Sequence, residues 1–358
     1  MKKYLIRWQL GALIATAVLI LAGCGSSGGG ETDAPAAPEN TASDASASFT
    51  PEEGTFTVGL TYIPDVQFSP LYVAEANGYF KDRGLSVTLR HHGQQESLLG
   101  ALESGEEDVV FAGADEMMQA RSTGIDVVNW ATMYQQYPVV LIVREDSGIQ
   151  SWADMAGKTV GMPGPYGENY YGWLAAQNLN ELGDSVTAAN IGYTQTAAIA
   201  NGEVDGVIGF VNNDPIAMKN AGVPVRTIPL VDGDLPLIGV GFGSLSSNVR
   251  PEAYSAFLDA IREAIEFSLS DPEAALDITT KYVPSLAEPE QRKVAGEVLQ
   301  ATLQLYMGSD IFGSQDEATW AAMADFLLEQ GIITTPVSAS DAFTQEVLNL
   351  GSFEWAAS

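Results

Sequence analysis

Hydrophobic and polar positions along the chain alternate between two rhythms. Phe56-Thr57-Val58-Gly59-Leu60 and Leu85-Ser86-Val87-Thr88-Leu89 read as strands, and Asp108 to Ala112 as a third. Between them, Ser69-Pro70 offers an N-cap and a first-turn proline for a helix ending near Asn77-Gly78, and Glu96 to Ser104 reads as a second helix. Strand, helix, strand, helix is the order of a doubly wound α/β lobe. Val139-Val140-Leu141-Ile142-Val143 is a strongly apolar strand, followed by an exposed linker and short helix over 146–157. Lys158-Thr159-Val160-Gly161-Met162 opens a second lobe, and Leu237 to Phe242 is the return crossing. Pro251 to Leu269 is an amphipathic helix with Ala256, Ala260, Ile261, Ala264 and Ile265 on one side. Gln291–Met307 and Asp316–Gln330 are also helical.

A weak internal repeat sharpens this picture. Ser104-Gly105-Glu106-Glu107-Asp108-Val109-Val110-Phe111 resembles Asn201-Gly202-Glu203-Val204-Asp205-Gly206-Val207-Ile208. With one residue inserted in the second copy, Asp115-Glu116 aligns with Asn213-Asp214, and Gly124-Ile125-Asp126-Val127 with Gly222-Val223-Pro224-Val225. Two copies do not make a solenoid, so two similar α/β lobes are expected. Ligands of such sheets bind beyond the carboxyl ends of the strands, where both polar pairs fall. The pairs either face each other across a cleft or serve only as helix N-caps.

The amino-terminus is of another kind. Lys2, Lys3 and Arg7 precede an apolar run from Leu10 to Leu21 that ends in Leu21-Ala22-Gly23-Cys24. That is the layout of a secretory signal peptide, and the run is short for a span of ~20 residues. Cys24, the only cysteine, sits where a bacterial lipobox places its lipid-accepting thiol. Residues 1–23 are therefore expected to be cleaved and Cys24 lipidated, placing the protein outside the cytoplasmic membrane on its outer face. Residues 24–54, rich in Gly, Ser, Ala and Pro, are expected to form a disordered tether. The formal charge of −30 becomes three units more negative once the leader leaves. Such a surface favours solubility and disfavours nucleic acid as a partner.

Phe68-Ser69-Pro70-Leu71-Tyr72-Val73-Ala74, Gly78-Tyr79-Phe80 and Gly84-Leu85-Ser86-Val87 resemble the opening of periplasmic solute-binding proteins of ABC importers. Gly157-Lys158-Thr159-Val160-Gly161 and Gly202-Glu203-Val204-Asp205 extend the resemblance, which runs from about Thr55 to Pro284. The subgroup binds thiamine-pyrimidine precursors, aliphatic sulfonates and riboflavin, and is related to a yeast thiamine-pyrimidine synthase. The resemblance implies a type II two-lobed fold, each lobe a mostly parallel sheet flanked by helices, with the ligand cleft between them. It implies lobe I over 55–144 and 240–352 and lobe II over 145–239. It also implies an ABC permease and its ATPase as partners of a monomer. Tyr62-Ile63-Pro64-Asp65-Val66-Gln67-Phe68 and Pro163-Gly164-Pro165-Tyr166-Gly167 look more like the pyrimidine and flavin binders than the sulfonate binders.

The loop from Gly161 to Trp173 is the densest candidate site. It lacks Lys and Arg and the Gly-Lys-Ser/Thr ending of a phosphate loop, but holds Tyr166, Tyr170, Tyr171 and Trp173. Tyr166 and Tyr170, four apart, can share a helix face, and aromatic faces suit a flat heterocycle. Trp173 is expected to pack the lobe. Asp65, Gln67, Asp115, Glu116, Glu168, Asn212, Asn213 and Asp214 supply acceptors and amides for ring N–H and amino groups, beside Phe68. Tyr134 and Tyr137 either line the hinge side of the cleft or pack the core.

These residues favour capture over catalysis. His91 and His92, the only histidines, are adjacent and so point to opposite sides of an extended chain, which makes a poor metal pair. The yeast synthase relies on a histidine and a cysteine-rich motif, and beyond Cys24 this chain has no cysteine. No enzyme activity, metal or cofactor is expected. The expected ligand is a planar nitrogen heterocycle, a thiamine-precursor pyrimidine first and riboflavin second. A ligand-sensing lipoprotein would use the same lobes, and co-transcription with a permease and ATPase would separate the two.

Overall fold

The computed structural model describes residues 48–93, 96–233 and 235–355. The expected signal peptide and Cys24 lie outside them. Among the described residues, ten strands form two five-stranded sheets. The first contains β1 (Thr55–Leu60), β2 (Ser86–His91), β3 (Val109–Gly113) and β4 (Val127–Thr132). The second contains β5 (Val139–Arg144), β6 (Thr159–Met162), β7 (Thr187–Asn190), β8 (Gly206–Phe210) and β9 (Val225–Ile228). β10 (Val240–Leu245) returns to the first. The sheet orders are β2-β1-β3-β10-β4 and β7-β6-β8-β5-β9. Within each, one strand runs antiparallel to both its neighbours, β10 in the first and β5 in the second. The other pairings, β1 with β2 and β3 and β6 with β7 and β8, are parallel. This is the expected two-lobed α/β architecture.

The repeat is one supersecondary unit used twice. β3, helix Ala114–Ser122 and β4 correspond to β8, helix Asp214–Asn220 and β9. The aspartate before each buried strand has one task in both copies. Asp108 Oδ2 accepts from the Thr57 amide of β1 at 3.0 Å, and Asp205 Oδ2 from the Thr159 amide of β6 at 2.8 Å. The carboxylate thereby satisfies an amide at the sheet end that no strand neighbour reaches.

Two boundaries differ from those expected. Val139–Arg144 was expected to close lobe I, yet it pairs with β8 and β9 in the second sheet. The crossing therefore precedes it. An all-apolar strand fits a central slot in either sheet, so its composition does not choose between them. The tether was expected to reach residue 54, but Phe49 packs on the first lobe's core and Gly54 donates to the Thr50 carbonyl at 3.0 Å. The half-buried Phe49 ring and this hydrogen bond place the turn before β1 on the folded lobe.

The first core is aromatic-rich. Trp130 stacks between Phe242 and Tyr254, and Phe257 lies edge-on to Phe56 and Phe242. Helix Pro251–Ser270 supplies Tyr254, Phe257, Ile261 and Ile265 from its apolar stripe. Trp173 packs against Trp152 in the second core, as expected. Helix Glu317–Glu329 touches both lobes. Its Trp320, Met323 and Leu327 join a cluster containing Ala114 and Met118 of one and Ala175 of the other. Among the described residues, no helix is long and apolar enough to cross a membrane.

Candidate functional site

A cleft open to solvent at its mouth lies between the sheets at the carboxyl ends of β1, β3, β6, β7 and β8. Gln67, Phe68, Glu116, Tyr134, Tyr166, Glu168, Asn213 and Asp214 line it. Thr61, Tyr62, Phe111, Asn169, Tyr193 and Phe210 line it too and were not singled out as contacts from the sequence. Tyr193 follows the end of β7 just as Tyr62 follows β1, and the strand-end rule would have pointed to both. Tyr62 and Tyr193 meet edge-on, ring centres 4.6 Å apart. His91 supports this wall, with Nδ1 2.8 Å from the Tyr62 carbonyl and Nε2 2.8 Å from the Tyr72 hydroxyl.

Five expected contacts stand behind the cleft rather than on it. Asp65 accepts from the Gln67 amide at 3.3 Å and so caps the turn Val66–Phe68. Asp115 is fully buried, its Oδ1 accepting from the Glu116 amide at 2.7 Å and its Oδ2 from the Tyr137 hydroxyl at 2.6 Å. Tyr137 thus supports the site without lining it. Asn212 is buried and donates to Thr302 Oγ1 at 2.8 Å, tying the second lobe's loop to helix Pro289–Leu305. Tyr170 packs in the second core, edge-on to Tyr171. It does not share a face with Tyr166, because Tyr166 is the extended N-cap residue of helix Gly167–Leu179, with φ −157°. Helical spacing does not extend to a cap.

That helix begins where only glycine is comfortable, with Gly167 at φ +71°. The turn sets Glu168 in the second helical position, against the end of β3. A Cβ on Gly113 would lie 2.3 Å from Glu168 Cγ, so glycine permits this approach between lobes. Neither carboxyl oxygen of Glu168 has a hydrogen-bond partner, and neither does Glu116 Oε2. Burial pushes the Glu168 carboxyl well above the usual carboxylate range, reinforced by Asp115 and Glu116. Burial and the Asp115 charge push Glu116 up to about 8. Asp214 is pushed up to about 6 by burial, although the Phe210 amide donates to it at 2.7 Å. Asp214 thus ties back to the end of β8 while lining the cleft, and neither it nor Asn213 caps helix Asp214–Asn220 through its side chain, so the N-cap reading of that pair does not hold. None of the described lining residues is Lys, Arg or His. The cleft therefore offers carboxyl groups as acceptors or, when protonated, as donors, between aromatic walls.

A family model described as NMT1/THI5 like matches residues 65–275, more than half of the chain. The riboflavin-binding protein RibY of Chloroflexus aurantiacus is 29% identical over 83% of this chain and 87% of that protein. A formylaminopyrimidine-binding protein of Halalkalibacterium halodurans is 26% identical over 85% of this chain and 92% of its own length. Among solved structures, the periplasmic aliphatic sulphonate binding protein SsuA of Escherichia coli superposes with a TM-score of 0.60 at 15% identity, over 85% of this chain and 94% of that one. That last likeness concerns the fold alone, which is that of periplasmic binding proteins.

Proposed function

The chain belongs to the NMT1/THI5-like family, and from that premise we propose that it is the ligand-capturing component of an ABC importer. A lipid on Cys24 holds it to the outer face of the membrane. The two lobes close on a planar nitrogen heterocycle and present it to a permease. One observation carries this reading: Glu116 from the first lobe and Glu168 from the second line one cleft with carboxyl oxygens that lack partners. A buried polar group without a partner is costly, and a ligand that supplies one recovers that cost. An ionised carboxyl accepts from ring N–H, and a protonated one also donates to a ring nitrogen or carbonyl. Tyr62, Tyr166 and Tyr193 supply ring faces for stacking. A sulfonate would meet three carboxyl groups and, among the described lining residues, no cation.

Of the two heterocycles expected from the sequence, we place riboflavin ahead of the pyrimidine. Two things support that order. The cleft adjoins a second chamber that a lone pyrimidine would leave empty, and the match to the riboflavin-binding relative has the higher identity of the two. The aminopyrimidine stays the second reading because a protonated carboxyl pairs well with its amino and ring-nitrogen edge. A thermal-shift panel of riboflavin, a thiamine-precursor aminopyrimidine and an alkyl sulfonate tests the class. At 100 times its dissociation constant a ligand adds ~2.7 kcal/mol of stability. A shift with the sulfonate alone would overturn the reading.

A further inference from the structure

Beside the cleft lies a second chamber, open to solvent, walled by His92, Glu96 and Ser97 and sharing Thr61, Glu116, Tyr166 and Tyr193 with it. His92 is buried, 3% exposed. Its Nε2 contacts Glu107, while its Nδ1 has no hydrogen-bond partner and sits 3.4 Å from Glu96 Oε2. The guanidinium of Arg90 borders this cluster but is already committed. It donates to Glu107 at 2.7 Å and reaches Glu96 and, at 3.3 Å, Glu106. One guanidinium thus faces three carboxylates, so Arg90 has no charge to spare for an anion here. A hydroxyl both donates and accepts, so it can serve His92 Nδ1, Glu96, Thr61 and Ser97 alike. A phosphate would be repelled by the Glu96 carboxylate, and Arg90, already shared among three carboxylates, would not offset that repulsion.

We propose that this chamber receives an uncharged polyhydroxyl substituent on the heterocycle and turns away the same ligand carrying a terminal phosphate. The assignment rests on the heterocycle reading of the main cleft. Three flavins separate the two claims: lumichrome, which has the ring without the side chain, riboflavin, and riboflavin 5′-phosphate. Their dissociation constants are measured on the purified protein by calorimetry. Riboflavin is expected to bind at least about tenfold tighter than either of the others, a difference of ~1.4 kcal/mol. Glu96→Gln, which frees part of Arg90, is expected to narrow the gap between riboflavin and its phosphate, with circular dichroism confirming the fold. Lumichrome binding as tightly as riboflavin would overturn the chamber while leaving the cleft reading intact, as would equal affinity for the phosphate. Failure of all three flavins to bind would overturn the flavin reading of the cleft and the chamber assignment with it.

Discussion

The Tyr137 hydroxyl donates to Asp115 Oδ2 at 2.6 Å and lies 3.1 Å from the Glu168 carbonyl oxygen. One phenol from the crossing segment thereby sits between the helix that carries Glu116 and the helix that carries Glu168. It holds the two carboxyl-bearing ends in register. Removing it leaves Asp115 Oδ2 buried without its partner. Tyr137→Phe is expected to destabilise the protein by ~1–3 kcal/mol and to weaken ligand binding. Denaturant unfolding and a binding titration check the two effects. Unchanged values in both would remove Tyr137 from the positioning of the site.

Gly113 controls how closely the lobes approach. Its missing Cβ leaves room for Glu168 Cγ, which would otherwise be 2.3 Å away. Gly113→Ala is expected to reduce ligand affinity by at least about tenfold, the equivalent of ~1.4 kcal/mol, because closure must stop short. Small-angle scattering with ligand should show a more open molecule than wild type. Wild-type affinity would mean that Glu168 yields without consequence.

Tyr166 is 37% exposed, so its ring is available to a ligand and contributes little to the core. Tyr166→Ala is expected to leave the unfolding midpoint nearly unchanged and to cost ~0.5–1.5 kcal/mol of binding from lost stacking. Calorimetric titration beside thermal melting reads both. An unaltered dissociation constant would exclude the ring from the ligand.

The buried carboxyls give the ligand-free protein a pH signature. Glu116 is pushed up to about 8 from an ordinary 4.5. Between these values the folded protein holds a proton that the unfolded chain has released. Its stabilising contribution is full below about 4.5 and is lost as pH rises through about 8. Asp214, pushed up to about 6, adds a slope of the same sign at lower pH. The melting temperature is therefore expected to fall between pH 5 and 8, and less steeply in Glu116→Gln. Parallel profiles for the two proteins would contradict the assignment.

Cys24→Ser is expected to release the protein from membranes in cell fractionation. Membrane retention of that variant would refute the lipid anchor.

Much of the fold was legible because it depends on local pattern. Alternation marked β1 and β2, and the Gly-Glu-x-Asp repeat marked β3 and β8 together with the aspartates that cap their neighbours. What the sequence hid depended on tertiary choice. The sheet that takes β5 follows from where the chain crosses, and five apolar residues do not encode that. At the site, residue type located the polar pairs and the Pro-Gly-Pro-Tyr-Gly-Glu turn, but not which side chains turn inward. Asp65 and Asp115 are consumed by backbone amides and Tyr137, while Glu168 stays unpartnered. Composition alone treats these three acids alike, because the difference lies in which donors come within reach.

The most direct test of the account is a titration of riboflavin with the protein, followed by flavin fluorescence. Stacking against tyrosines in a carboxyl-lined cleft predicts saturable quenching at one flavin per chain, weakened strongly in Glu168→Ala. Emission that stays unchanged through stoichiometric protein, or quenching that is identical in Glu168→Ala, would contradict the account.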